Sequence, residues 1–129
     1  MKRIGNDFLI FLCGGGLYCL IEVLWRGYTN WTMGVVGGIC VLILYNVYTK
    51  YICLSYIEKC LIGSIIITVI EFISGIIINI IFGMNVWDYS NLPLNLKGQI
   101  CLLYSVFWGF ICVPIIFVCN KINSHRINL

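Results

Sequence analysis

With 129 residues, 61% of them hydrophobic and only 10% charged, and a mean hydropathy of +1.01, the chain lies far from soluble proteins, in which about a quarter of residues are charged. The composition reads as an all-α integral membrane protein embedded in a lipid bilayer. A formal net charge of +3, scattered along the chain, gives no basic patch for nucleic acid, so the charges are informative about topology instead. Six of the eight cysteines (Cys13, Cys19, Cys40, Cys101, Cys112 and Cys119) lie inside apolar runs, Cys53 and Cys60 flank a loop, and no CxxC pair occurs. In such places cysteine behaves as a small hydrophobe, and neither a metal site nor a cofactor is expected.

Crossing about 30 Å of hydrocarbon takes roughly 20 apolar residues. The first such segment is Phe8–Trp25, after Lys2-Arg3. It carries Glu22 and has no small-x-small cleavage site, so it is expected to be a retained span and not a signal peptide. Its Gly14-Gly15-Gly16 run invites close packing or local loosening. Arg26 follows Glu22 by four residues, the spacing of an ion pair on one helix face.

The second segment, Trp31–Tyr48, offers Gly34-x-x-x-Gly38 with Gly37 beside it, small residues that let helix backbones approach. The third, Cys60–Phe82, holds Glu71 midway, with Gly75 and Asn79 following at i+4 and i+8. A carboxyl group at that depth costs about 2.5–3.5 kcal/mol on insertion scales, so Glu71 is expected to face protein or water. The linker "VWDYSNLPLNLKGQI" gathers Trp87, Asp88, Tyr89, Ser90, Pro93, Asn95 and Gln99 before a fourth segment, Gln99–Cys119.

A single four-helix domain over residues 1–129 follows, with no room for a soluble catalytic module and no GxxxxGK[ST] phosphate loop. Lys2, Arg3, Lys50, Lys59, Lys121 and Arg126 fall on one side of it, and Arg26 and Lys97 on the other. That asymmetry places both termini in the cytoplasm of a multi-pass cell-membrane protein. Trp25, Tyr28, Trp31, Trp87 and Tyr89 then form the outer aromatic belt, and Tyr48, Tyr51 and Tyr56 the inner one.

Two readings of the polar residues stay open. In one, Glu22–Arg26 is an interfacial ion pair, Glu71 bonds across helices, and Asp88, Asn95 and Gln99 cap helix ends and the linker, because unsatisfied polar groups are costly in lipid. In the other, Glu22, Arg26, Glu71, Asn79, Asp88, Asn95 and Gln99 line an outward polar cavity in which Glu71 takes up a proton or a cation. Catalysis is not expected. His125, the sole histidine, lies in the C-terminal tail far from the carboxylates, and no Ser-His or Cys-His arrangement can form near them.

The stretch "VWDYSNLPLNLKGQICLLYSVFWGF", through Trp87, Asp88, Tyr89, Ser90, Pro93, Asn95, Leu96 and Gly98, resembles the C-terminal signature of the family labelled "putative ABC-transporter type IV", the CmpB-like small membrane proteins. Glu71, Phe82 and Gly83 resemble that family's third-span pattern. Tyr18, Glu22, Arg26-Gly27, Trp31, Met33 and Gly37-Gly38 resemble its short branch, while the Gly-Phe-Leu-Tyr-Gly-Pro segment of longer members is absent. The resemblance covers nearly the whole chain. It implies a permease-like or accessory transport component, with a separate ATPase as partner and Lys50–Lys59 as the cytoplasmic docking loop. The alternatives are a membrane scaffold, homo-oligomeric or part of a larger complex, packed through Gly34 and Gly38, and a small proton-coupled exporter.

Overall fold

Among the described residues, four helices are long and apolar enough to span a membrane: Asn6–Arg26, Trp31–Lys50, Tyr56–Ile81 and Leu102–Ile122. They belong to a computed structural model that describes residues 2–51 and 53–127, with side chains from 6 to 122 apart from residue 52. Lys2, Arg3 and Arg126, counted for sidedness, and the tail His125 have side chains outside those described. In order, the elements are α1 (Lys2–Arg26), α2 (Trp31–Lys50), α3 (Tyr56–Gly75), a π-helical segment (Ile76–Ile81), the short strands β1 (Asn95–Leu96) and β2 (Ile100–Cys101), and α4 (Leu102–Ile127). The chain divides into two units, Met1–Ile43 and Leu44–Leu129.

In the first unit, α1 and the start of α2 meet backbone to backbone. A Cβ on Gly15 would lie 2.5 Å from the carbonyl oxygen of Gly34, one on Gly38 2.7 Å from that of Phe11, and one on Gly37 2.7 Å from the Cβ of Tyr18. Gly15, Gly37 and Gly38 thus lie in the contact between the two helices, where a larger residue would force them apart. Asn30 begins α2: its Oδ1 accepts from the Thr32 amide at 3.0 Å, satisfying one of the donors that a helix start leaves orphaned. Gly27, at φ +84°, ends α1 as a left-handed stop.

The second unit is organised by α3. Its start is capped by Ser55, whose hydroxyl accepts from the Glu58 amide at 3.3 Å and donates to the Glu58 carboxylate at 3.1 Å. The helix therefore begins at Tyr56, one turn before the expected Cys60. Lys59 becomes a buried helix residue, 3% exposed, donating to Asn120 Oδ1 at 3.2 Å.

From there the buried face repeats every fourth residue: Lys59, Gly63, Ile67, Glu71 and Gly75, then Asn79. A repeat longer than 3.6 slants right-handed around the helix, the spacing of small-residue crossings in membranes. Leu44, Tyr48, Cys112 and Ile116 form the fully buried centre beside it. Gly63 makes the approach possible, because a Cβ there would collide with the Tyr48 hydroxyl and the Cys112 sulfur.

The fourth helix starts at Leu102, not at Gln99. Ile100 and Cys101 instead pair antiparallel with Leu96 and Asn95. The turn between them has Lys97 at φ 55° and Gly98 at φ 72°, with the Gln99 amide donating to Leu96 O at 3.1 Å. Positive φ at both central residues is the type I′ geometry that suits a hairpin. Asn-Leu-Lys-Gly-Gln carries no strand signal in the sequence, because two-residue strands leave no alternation to detect.

Gly63→Ala should lower the thermal midpoint of the solubilised protein, in line with about 1–3 kcal/mol of overpacking. Gly16→Ala, where nothing lies within 4 Å of the added atom, should leave the midpoint unchanged or slightly raised. Circular dichroism melts of the two variants check both.

Candidate functional site

Glu71 is 7% exposed, and each carboxylate oxygen has its own donor. The Tyr89 hydroxyl donates to Oε1 at 2.7 Å, and the Trp108 indole N–H donates to Oε2 at 2.7 Å. Trp108 comes from α4, as the stripe on α3 requires. Tyr89 comes from the linker, although Glu71 lies about 15 Å along the helix axis from Ile81. A tyrosine side chain cannot cover that distance, so the linker folds back along α3 instead of standing above it.

Several contacts hold the linker there. The π segment widens the end of α3: the Phe82 amide reaches Ile77 O at 3.1 Å and that of Met84 reaches Ile78 O at 3.1 Å. π segments are frequent at functional sites. This one presents Asn79 inward, where Oδ1 accepts from the Val86 amide at 2.7 Å and Nδ2 donates to Gln99 Oε1 at 2.8 Å. The indole of Trp87 donates to Gln99 O at 3.0 Å. Gly75 makes room for this pair, since a Cβ there would lie 2.5 Å from Gln99 Oε1 and 3.1 Å from the Trp87 ring.

The rest of the linker is tied to itself. The Tyr89 amide donates to Gly98 O at 2.7 Å, the Ser90 amide to Asp88 Oδ1 at 2.9 Å, and Asn95 Nδ2 to Leu92 O at 2.7 Å. Asn95 Oδ1 accepts from the Gly98 amide at 3.1 Å. Gly98 is doubly constrained, by its positive φ and by Asp88 Oδ1 2.7 Å from where a Cβ would stand. An aromatic cluster completes the site. Tyr89 stacks on Tyr104 at 4.7 Å and 12°, and Tyr104 meets Phe107 edge-on at 5.8 Å and Trp108 at 6.4 Å.

The residues singled out by sequence therefore fall into three groups. Glu71, Asn79, Gln99 and Gly75 share the inner face with Trp87 and Tyr89. Those two aromatics, expected at headgroup depth, turn inward, because an indole N–H or a phenol that leaves water needs a partner. Asp88, Asn95, Ser90 and Pro93 belong to the linker's own turns, with Asp88, Ser90 and Pro93 exposed. Asp88 and Asn95 hold turns in the linker and do not cap helices.

Glu22 and Arg26, in the first unit, pair with each other at 2.6 Å, and Arg26 lies over the Tyr28 ring at 4.7 Å. Gly34, Gly37 and Gly38 lie in the α1–α2 contact of that unit.

Trp108 and Tyr104 were missed, as were the hydroxyls beneath Glu71: Thr68 Oγ1 and Ser105 Oγ lie 2.8 Å apart, and Ser64 donates to Ser105 O at 2.6 Å. The signal was present in principle. Tyr104, Ser105 and Trp108 carry polar tips within an apolar span, and each such tip demands a partner. Among the described residues no group of three or more His, Cys, Asp or Glu is placed to hold a metal ion.

A model of the family described as "Putative ABC-transporter type IV" matches residues 10–129. No curated protein and no solved structure matches the chain.

Both the side-chain and the backbone hydrogen bonds of Ser90 hold the Asp88 carboxyl below its ordinary 3.8. A depressed value in the folded state stabilises the linker above pH 3.8, and that contribution is lost as the pH falls through the depressed value. The Ser90 amide resonance should accordingly stay fixed from neutral pH down to about the ordinary carboxylate range and move only on further acidification. In Asp88→Asn that movement should vanish, which an amide-proton NMR titration reads directly.

Proposed function

The chain belongs to this type IV family, and from that premise we propose that it is the membrane-embedded, non-enzymatic component of a transport system in which Glu71 exchanges its Tyr89 partner for a proton or a cation. The family and the four apolar helices are consistent with a membrane protein related to transport. The observation that carries the finer reading is the Glu71 carboxylate, buried mid-helix and closed on one side by a residue of the folded-back linker.

A buried carboxylate oxygen that loses its donor is strongly disfavoured. Withdrawal of Tyr89 is therefore favourable only when another donor takes its place, and a proton or a cation also answers the charge. Breaking one hydrogen bond to a charged group costs about 1.5–3 kcal/mol, a scale that ligand binding can supply. Movement of the linker and occupation of Glu71 are in this way a single event. The opposite oxygen, held by Trp108 from α4, keeps the carboxylate oriented throughout.

In this reading the protein sits in the cell membrane with both termini in the cytoplasm and works with a separate ATPase. That partner meets the connection between α2 and α3, where Tyr51, Cys53, Tyr56 and Glu58 are exposed. Asp88 and Asn95 support the linker rather than the ligand.

Infrared titration of the reconstituted protein tests the exchange. The wild type should show a protonated-carboxyl band that responds to pH, Glu71→Gln should lack that band, and Tyr89→Phe should move its midpoint. A spectrum that is the same in wild type and Glu71→Gln at every pH would rule the exchange out.

A further inference from the structure

Tyr89 meets its site in the manner of a ligand. Its ring lies flat on Tyr104, 4.7 Å away and inclined by only 12°, and its polar tip donates to Glu71 Oε1 at 2.7 Å. The receiving surface belongs to the helices: the Tyr104 face, backed by Phe107 and Trp108, and a carboxylate oriented from its other side by the Trp108 indole. The occupant belongs to the linker. A flat apolar body with a hydrogen-bond donor close to the ring is therefore what this surface accepts.

A free molecule that displaces Tyr89 must match both contacts and improve on one of them. A protonated amine does so, because it donates to the carboxylate as the phenol does and adds opposite charge in a desolvated place. An aromatic group beside the amine replaces the Tyr89 ring on Tyr104. The electron-rich faces of Tyr104 and Trp108 favour a nearby ammonium further. Tyr104 is half-buried and Phe107 exposed, so the platform is open on one side.

We infer that the Tyr89 position is a binding subsite for protonated arylalkylamines, with Glu71 holding the ammonium, Tyr104 the aromatic ring, and Tyr89 acting as a built-in competitor. The inference rests on the exchange at Glu71 proposed above and names the class of cation that takes part in it. It also fixes an unusual pattern of mutational signs. Removing either receiving group weakens binding, whereas removing the competitor strengthens it, since the fraction of open sites scales the apparent affinity. A purely structural role for Tyr89 predicts the reverse.

The test is equilibrium dialysis of benzylammonium against the full chain in detergent, with empty micelles subtracted and benzyl alcohol as the neutral counterpart. Saturable binding of benzylammonium is expected, with benzyl alcohol weaker by about tenfold or more. Glu71→Gln and Tyr104→Leu should each weaken benzylammonium by about tenfold, Tyr104→Phe should bind as the wild type does, and Tyr89→Leu should bind about tenfold more tightly. Equal binding of the two probes, indifference to Glu71→Gln, or weaker binding by Tyr89→Leu would each overturn the inference. If the Glu71 carboxyl band responds to pH while benzylammonium does not bind, this inference fails and the exchange reading stands. If neither is seen, both fail.

Discussion

The second unit depends on one constraint, that a carboxylate placed in an apolar helix must find donors without water. Glu71 finds two, and their origins decide the architecture around it. Trp108 requires α4 to pack along the α3 stripe, which Gly63, against Cys112 of α4, permits. Tyr89 requires the linker to turn back on itself, which the π segment, the Asn79–Gln99 bond and the Trp87–Gln99 bond permit. Without the carboxylate, only the stack on Tyr104 would hold the Tyr89 ring against the helices, and its hydroxyl would lose its acceptor.

Polar satisfaction propagates outward from there. Asn79 has both ends of its amide engaged, Gln99 uses its side chain and its carbonyl, and the I′ turn at Lys97–Gly98 aligns the Gly98 carbonyl for the Tyr89 amide. Each bond fixes the next, so the linker behaves as one piece docked on the helices, and its attachment to them is concentrated at Glu71, Asn79 and Tyr104. Such an arrangement makes the linker one ordered piece with few points of attachment. At the other end of the same stripe, Lys59 shares a face with Glu71 but meets an amide and the Tyr48 ring.

The spans were legible because hydrocarbon thickness sets a length that composition reveals directly. Glu71, Gly75 and Asn79 were legible as one face because helical spacing is fixed before any partner is known. What the sequence could not supply was the far side of each contact. The hairpin at Asn95–Cys101 has strands too short to alternate. The π segment has no sequence signature in Ile-Ile-Ile-Asn-Ile-Ile. Trp87 and Tyr89 carried the composition of an interfacial belt, and only the location of their donors' partners distinguishes a belt from an inward clasp. The same ambiguity hid Trp108, whose indole N–H was as informative as Glu71 and belonged to the same bond. Lys59 looks like a loop charge by composition, and only the Ser55-x-x-Glu58 pattern, which starts the helix at Tyr56, places it on the buried stripe.

The contact between Tyr89 and Glu71 carries the account, and a double-mutant cycle measures it most directly. The thermal stability of the solubilised wild type, Glu71→Gln, Tyr89→Phe and the double variant gives a coupling energy for the pair. A favourable coupling of about 1.5–3 kcal/mol, the range of a hydrogen bond to a charged group, is the result expected if the linker is clasped to the carboxylate. Strict additivity, with Tyr89→Phe costing the same whether or not Glu71 is present, would contradict it.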